Sequence, residues 1–97
     1  MSDAGSQIEI SDNPRRHRYE ARCDGEVAGF VVYRRAEGRV VLVHTEVDER
    51  FEGRGVGSAL ARGILDRLRA EGAVVVPECE FIAGWIGKHP DYADLVA

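Results

Sequence analysis

Nothing in these 97 residues approaches the roughly 20 consecutive apolar positions that a membrane helix requires. Cysteine is scarce: Cys23 and Cys79 stand far apart, with no CxxC pair and no Cys/His ligand spacing. A structural zinc site is therefore not expected, and in a reducing compartment both residues are expected as free thiols. A basic excess is missing too, and the formal net charge of −4 argues against a general nucleic-acid binder. Residues Met1 to Ser6 lack both the basic start and the apolar stretch of a signal peptide, so a cytoplasmic location is expected. Internal repeats and low-complexity tracts are absent.

What remains has the composition of a soluble globule, 44% hydrophobic and 31% charged. A chain of this length buries roughly 60–70% of its unfolded surface, enough for one core. Residues 1–97 are therefore read as one domain, with residues 1–6 expected to be flexible and the whole expected to be a monomer.

The first half has the period of strands. Ile8 to Ser11 alternates and is expected to stop at Asp12-Asn13-Pro14. Residues 17–23 alternate with Tyr19, Ala21 and Cys23 on one side. Asp24-Gly25 is a two-residue hairpin signal. Val27 to Arg34, a turn at Glu37-Gly38 and Arg39 to Val47 follow, and such short connections make antiparallel neighbours. The pattern then changes. Leu60, Ala61, Ile64, Leu65 and Leu68 fall at helical spacing within Ser58 to Glu71, and Gly72 is placed for a left-handed cap. Val74-Val75-Val76 is a short buried strand closed by Pro77. A second helix is expected from about Cys79 to Lys88, ending at His89-Pro90, with Tyr92, Leu95 and Val96 docking the tail. The fold class is mixed α/β (α+β), a mostly antiparallel sheet with one βαβ unit. Strands 39–47 and 73–76 of that unit should run parallel.

Between strand and helix lies Gly53-Arg54-Gly55-Val56-Gly57. Amide groups at a helix start are unpaired and carry the positive end of the helix dipole. Glycines keep side chains away from an anion approaching those amides. Arg54 and Arg50 would add charge-assisted bonds, so a pyrophosphate is the natural ligand. A Walker loop needs GxxxxGK[ST], and no lysine follows these glycines. A dinucleotide fingerprint needs GxGxxG, and Ser58 stands where its third glycine belongs. The structural alternative is a glycine-rich turn that only permits close packing.

The segment Glu52-Gly53-Arg54-Gly55-Val56-Gly57 resembles the acetyl-CoA loop of the GCN5-related N-acetyltransferases, Gln/Arg-x-x-Gly-x-Gly/Ala, with Gly55 and Gly57 as the signature glycines. Glu52 departs from the first position, and the frame Arg50-x-x-Gly53-x-Gly55 restores an arginine there. His44-Thr45-Glu46-Val47, Val76 to Ile82 and His89-Pro90-Asp91-Tyr92 extend the resemblance over about residues 8–96, to the small YjdJ-type members. The resemblance implies a minimal fold of that family and a bound acetyl-CoA. It implies that Val47 and its neighbours line the pantetheine arm, and that Arg50, Gly53, Arg54, Gly55, Val56, Gly57 and Ser58 surround the pyrophosphate. It also places Cys79 just beyond the neighbouring strand.

Three residues are candidates for the chemistry. Cys79 would act as a nucleophile or donate a proton to the departing thiolate; adjacent Glu78 and Glu80 oppose a thiolate, and a buried inert cysteine is the alternative. His44 and Glu46 share one strand face and are candidate general bases. Trp85 and Tyr92 are read as packing residues. The reading that follows is acetyl transfer from acetyl-CoA to an amine, with no metal, nucleic acid or membrane partner. An acyl-CoA-binding or sensing module and an interaction domain are the alternatives. The acceptor is not identified, although a negative surface would steer a cationic amine toward it.

Overall fold

Alternating apolar residues and two tight turns produce the sheet. The computed structural model describes residues 8–97; the expectation of flexibility for residues 1–6 lies outside them. Strands β1 (Ile8–Asn13), β2 (Arg18–Cys23), β3 (Glu26–Ala36), β4 (Arg39–Val47) and β5 (Val74–Pro77) lie side by side in chain order. The first four are antiparallel neighbours. β5 runs parallel to β4, with Arg39 opposite Val74 and Leu42 opposite Pro77. Asp24-Gly25 and Glu37-Gly38 all have positive φ, as two-residue hairpin turns that match strand twist require. β1 continues through Asp12 to Asn13 instead of stopping there, because its register with β2 holds as far as Asn13 opposite Arg18.

Helix α1 (Val56–Glu71) buries Val56, Leu60, Ala61, Ile64, Leu65 and Leu68 against β1 to β4. Gly72 closes it in the left-handed conformation, its N–H donating to the carbonyls of Leu68 and Arg69. The helix begins at Val56, two residues before the expected Ser58. The buried Val56 side chain belongs to the core, and the Gly55 carbonyl already accepts from Ala59 N–H. Helix α2 (Glu80–Lys88) adds Ile82, Trp85 and Ile86 to the same core. A 3₁₀ turn, Pro90–Leu95, then folds Tyr92 and Leu95 inward, and Ala97 N–H donates to Val75 O. The docked tail agrees with the sequence reading, as does the packing role of Trp85 and Tyr92.

Two glycines set how closely α1 approaches the sheet. A Cβ on Gly29 of β3 would lie 2.8 Å from the Glu46 carbonyl oxygen and 3.1 Å from Val56. One on Gly63 would lie 2.7 Å from Ile10. Both helices share one core on one side of the sheet. The other face presents Phe30, Val32 and Arg34 of β3 beside His44 and Glu46 of β4. Among the described residues, no helix is long and apolar enough to cross a membrane.

Candidate active site

The loop into α1 is held from below by a buried aromatic. Asp48 caps a 3₁₀ turn (Glu49–Phe51) by accepting from Arg50 N–H at 2.9 Å, and the turn drives Phe51 into the core. Gly53 and Gly55 then take φ of 81° and 80°, which an L side chain adopts only under strain. Gly55 is the N-cap of α1. It offers no side-chain cap, no acidic residue occupies the first turn, and a Cβ there would meet open space. The first-turn amides are thus left for an external anion.

The structure separates the residues expected around this loop. Arg54 is exposed, with its guanidinium 5.2 Å from the Phe51 ring centroid. Arg50 is engaged elsewhere: it binds both Asp48 oxygens at 3.2 Å and Glu26 at 3.2 Å. Its hydrogen bonds hold the Asp48 carboxyl below the usual carboxylate range. Gly57 serves packing, since a Cβ there would lie 2.8 Å from the Phe81 ring of α2. Ser58 Oγ accepts from Trp85 Nε1 at 3.0 Å and ties the two helices together.

β4 and β5 part company just beyond the core. Their pairing ends at Leu42 and Pro77, where proline offers no N–H to continue the ladder. One further bond, Cys79 N–H to Leu42 O at 2.9 Å, turns the chain into α2 while β4 runs on to Val47. Thr45 of β4 faces Cys79 across the divergence, Oγ1 to Sγ 2.9 Å, and either group can donate. Cys79 is buried at the N-cap of α2, with 7% of its surface exposed. His44 and Glu46 lie on the opposite face of β4, with Nε2 to Oε2 3.0 Å and side chains 56% and 60% exposed.

A bulge accounts for this arrangement. Val32 pairs with His44 and Tyr33 with Leu42, so Val43 has no partner on β3. Strict alternation from the buried Val40 and Leu42 would turn His44 inward and Thr45 outward. The extra residue inverts the pattern beyond it.

A family model described as GCN5-related N-acetyl-transferase matches residues 18–95. The chain belongs to this family. Its activity class is N-acetyl transfer. Among curated relatives, protein NATD1 of Gallus gallus is 27% identical over 92 residues, covering 93% of this chain and 84% of that protein. Protein NATD1 of Homo sapiens is 28% identical over 90 residues, covering 91% and 80%. The solution structure of a GCN5-like protein from Staphylococcus aureus shares the fold at a TM-score of 0.70 and 20% identity, covering 92% of this chain and 87% of that one.

Within this acetyltransferase, sequence reasoning missed Thr45 as the partner of Cys79, and Phe81 as the ring seated on the glycine loop. Phe81 stands 43% exposed, a large apolar surface on the first turn of a helix that buries Ile82, Trp85 and Ile86. No local signal pairs Thr45 with Cys79, because 34 positions separate them.

Proposed function

We propose that this acetyltransferase binds acetyl-CoA with its diphosphate on the first turn of α1 and its thioester at the divergence of β4 from β5. The observation that carries the reading is the N-terminus of α1. It is capped by a left-handed glycine, free of side-chain caps and acids, and open where a side chain would point. Arg54 adds the exposed cation, whereas Arg50, already paired, contributes at most by exchanging partners. From Val47 back to Val43 is four strand steps, about 13 Å, a run along which an extended arm can lie.

Acetyl-CoA supplies the activated acyl group. The acceptor nitrogen forms a bond to the acetyl carbon as the carbon–sulfur bond breaks, so the products are an acetamide and the free thiol of CoA. His44 takes the amine proton. With Nε2–H donating to Glu46, its Nδ1 is the accepting atom, and the Glu46 carboxylate stabilises the imidazolium. Cys79, oriented by Thr45, lies on the other side of β4 and donates a proton to the departing thiolate. Cys79 is buried and held by Thr45, which favours a positioned proton donor and direct transfer over an acetyl-cysteine.

Calorimetric titration with acetyl-CoA tests the reading, with Gly55→Glu as control. One-to-one binding lost in the control is expected; absence of binding by the wild-type chain rejects it. A second reading, a binding or sensing module, is favoured by how exposed His44 and Glu46 are. Binding of acetyl-CoA without turnover on any amine in a broad panel would select it.

A further inference from the structure

On the helix-free face of the sheet, beside His44, lies a groove of about 720 Å³. Pro14, Val32 and Val43 give it an apolar floor and His17 and Arg34 line it, whereas Arg35 lines it with its stem while its guanidinium turns to the helix face. The bulge that turns His44 outward also exposes Val43, with 36% of its surface accessible. Groove and base dyad are thus built by one irregularity. A smaller hollow of about 140 Å³ is lined by Phe30 and Glu46, a cross-strand pair two residues along from Val32 and His44.

The charge of the groove differs in sign from that of the whole chain. Among the described residues, Arg34 approaches an acid only at Glu78, 3.8 Å away, and both side chains are more than half exposed. Arg35 is shared between Glu71 and the Tyr19 hydroxyl, both at 3.3 Å. Asp12, the one carboxylate among the described residues that line the groove, already accepts from the Tyr33 hydroxyl at 2.6 Å. Arg15 and Arg16 line a neighbouring concavity and add to the positive field. A cationic amine drawn by the net charge of −4 would meet cations here.

We infer that this groove is the acceptor site and takes a compact amine carrying an apolar body and a carboxylate. The amine points toward His44, the apolar body rests on Val32 and Val43, and the carboxylate meets Arg34. Val32 faces His44 across the strands, and Arg34 is two residues further along β3 on the same face, about 7 Å away. That span suits a single amino acid or the end of a short peptide. The acceptor role rests on the acetyl-transfer reading above; the ligand class rests on the groove alone.

The test uses the acetylated product, so it needs neither turnover nor acetyl-CoA. The ¹⁵N-labelled full chain is titrated with N-acetylphenylalanine, with the neutral N-acetylphenylalaninamide, and with spermidine, following backbone amide shifts. Saturable shifts at Val32, Arg34 and Val43 are expected with the carboxylate. Binding of the neutral amide should be weaker by about tenfold, the usual worth of a charge-assisted hydrogen bond. Arg34→Gln and Arg34→Glu should erase that difference, and Arg34 is exposed enough for both variants to fold. Gly55→Glu should leave it intact. Equal binding of acid and amide, stronger binding of spermidine, or no saturable shift in the groove overturns the inference. Groove binding by a chain that fails to bind acetyl-CoA supports the ligand class and overturns the acceptor role.

Discussion

Thr45 Oγ1 and Cys79 Sγ stand 2.9 Å apart across the point where β4 and β5 separate, a contact between a strand and a helix cap 34 residues later. It joins the two edges of the cleft and gives the thiol a fixed orientation. Cys79→Ala should lower turnover by about 10²-fold, the lower end for loss of a general acid, and Cys79→Ser should recover part of it. Intact mass after incubation with acetyl-CoA should show no acetyl adduct. An adduct on the wild-type chain that disappears in Cys79→Ala would establish the covalent route instead.

Gly29 lets α1 rest on β3. A methyl group there meets the Glu46 carbonyl at 2.8 Å and Leu60 at 3.3 Å, so either α1 or β4 must move. Gly29→Ala should cost about 1–3 kcal/mol in urea unfolding, as overpacked cores do. Because the displaced groups are the end of β4 and the start of α1, acetyl-CoA affinity should fall too. An unchanged urea midpoint would show that the helix yields freely.

Glu20 is 2% exposed on the helix-free face, where it accepts from Arg18 at 2.8 Å, Arg22 at 2.9 Å and Asn13 at 3.0 Å. Burial alone would raise its pKa. The hydrogen bonds from Arg18 and Asn13, with the charges of Arg18 and Arg22, outweigh burial and hold the carboxyl below its ordinary value. A depressed carboxylate stabilises the fold above its unfolded pKa, about 4.3, and that contribution disappears as pH falls through the folded value. Glu20→Ala should cost about 1–3 kcal/mol at pH 7, toward the lower figure because Arg22 is 41% exposed. Urea titrations should show that cost shrinking below pH of about 4. A cost independent of pH would mean that packing, and not charge, is what Glu20 supplies.

Tyr33 behaves in the opposite sense. Burial first, then its hydrogen bond to Asp12, push the hydroxyl up to about 12. A raised folded pKa gives stability that is complete below the unfolded value of about 10 and is lost as pH rises through about 12. Tyr33→Phe should cost about 1 kcal/mol at neutral pH and flatten the decline at alkaline pH. Ultraviolet titration of the wild-type chain should find its tyrosines ionising above the ordinary value, and Tyr33→Phe should remove the component at about 12. A variant with the same alkaline slope as the wild type would assign the loss to another group.

Much of this architecture is local chemistry written into neighbouring residues. Asp24-Gly25 and Glu37-Gly38 specify tight hairpins, so β2, β3 and β4 must be antiparallel neighbours whatever the rest of the chain does. The spacing from Leu60 to Leu68 with Gly72 after it sets the helix and its end, and a crossover of that length makes β5 parallel to β4. The glycine loop was legible for the same reason: Gly53 and Gly55 hold left-handed conformations within the loop itself. Other decisions belong to partners distant in sequence. Gly57 clears space for Phe81, and Arg50 is claimed by Glu26. Most consequential is the unpaired Val43, which turns Thr45 toward Cys79 and His44 toward the groove. Side-chain alternation has a period of two only while each residue has a partner, and whether Val43 has one depends on how β3 twists beside it.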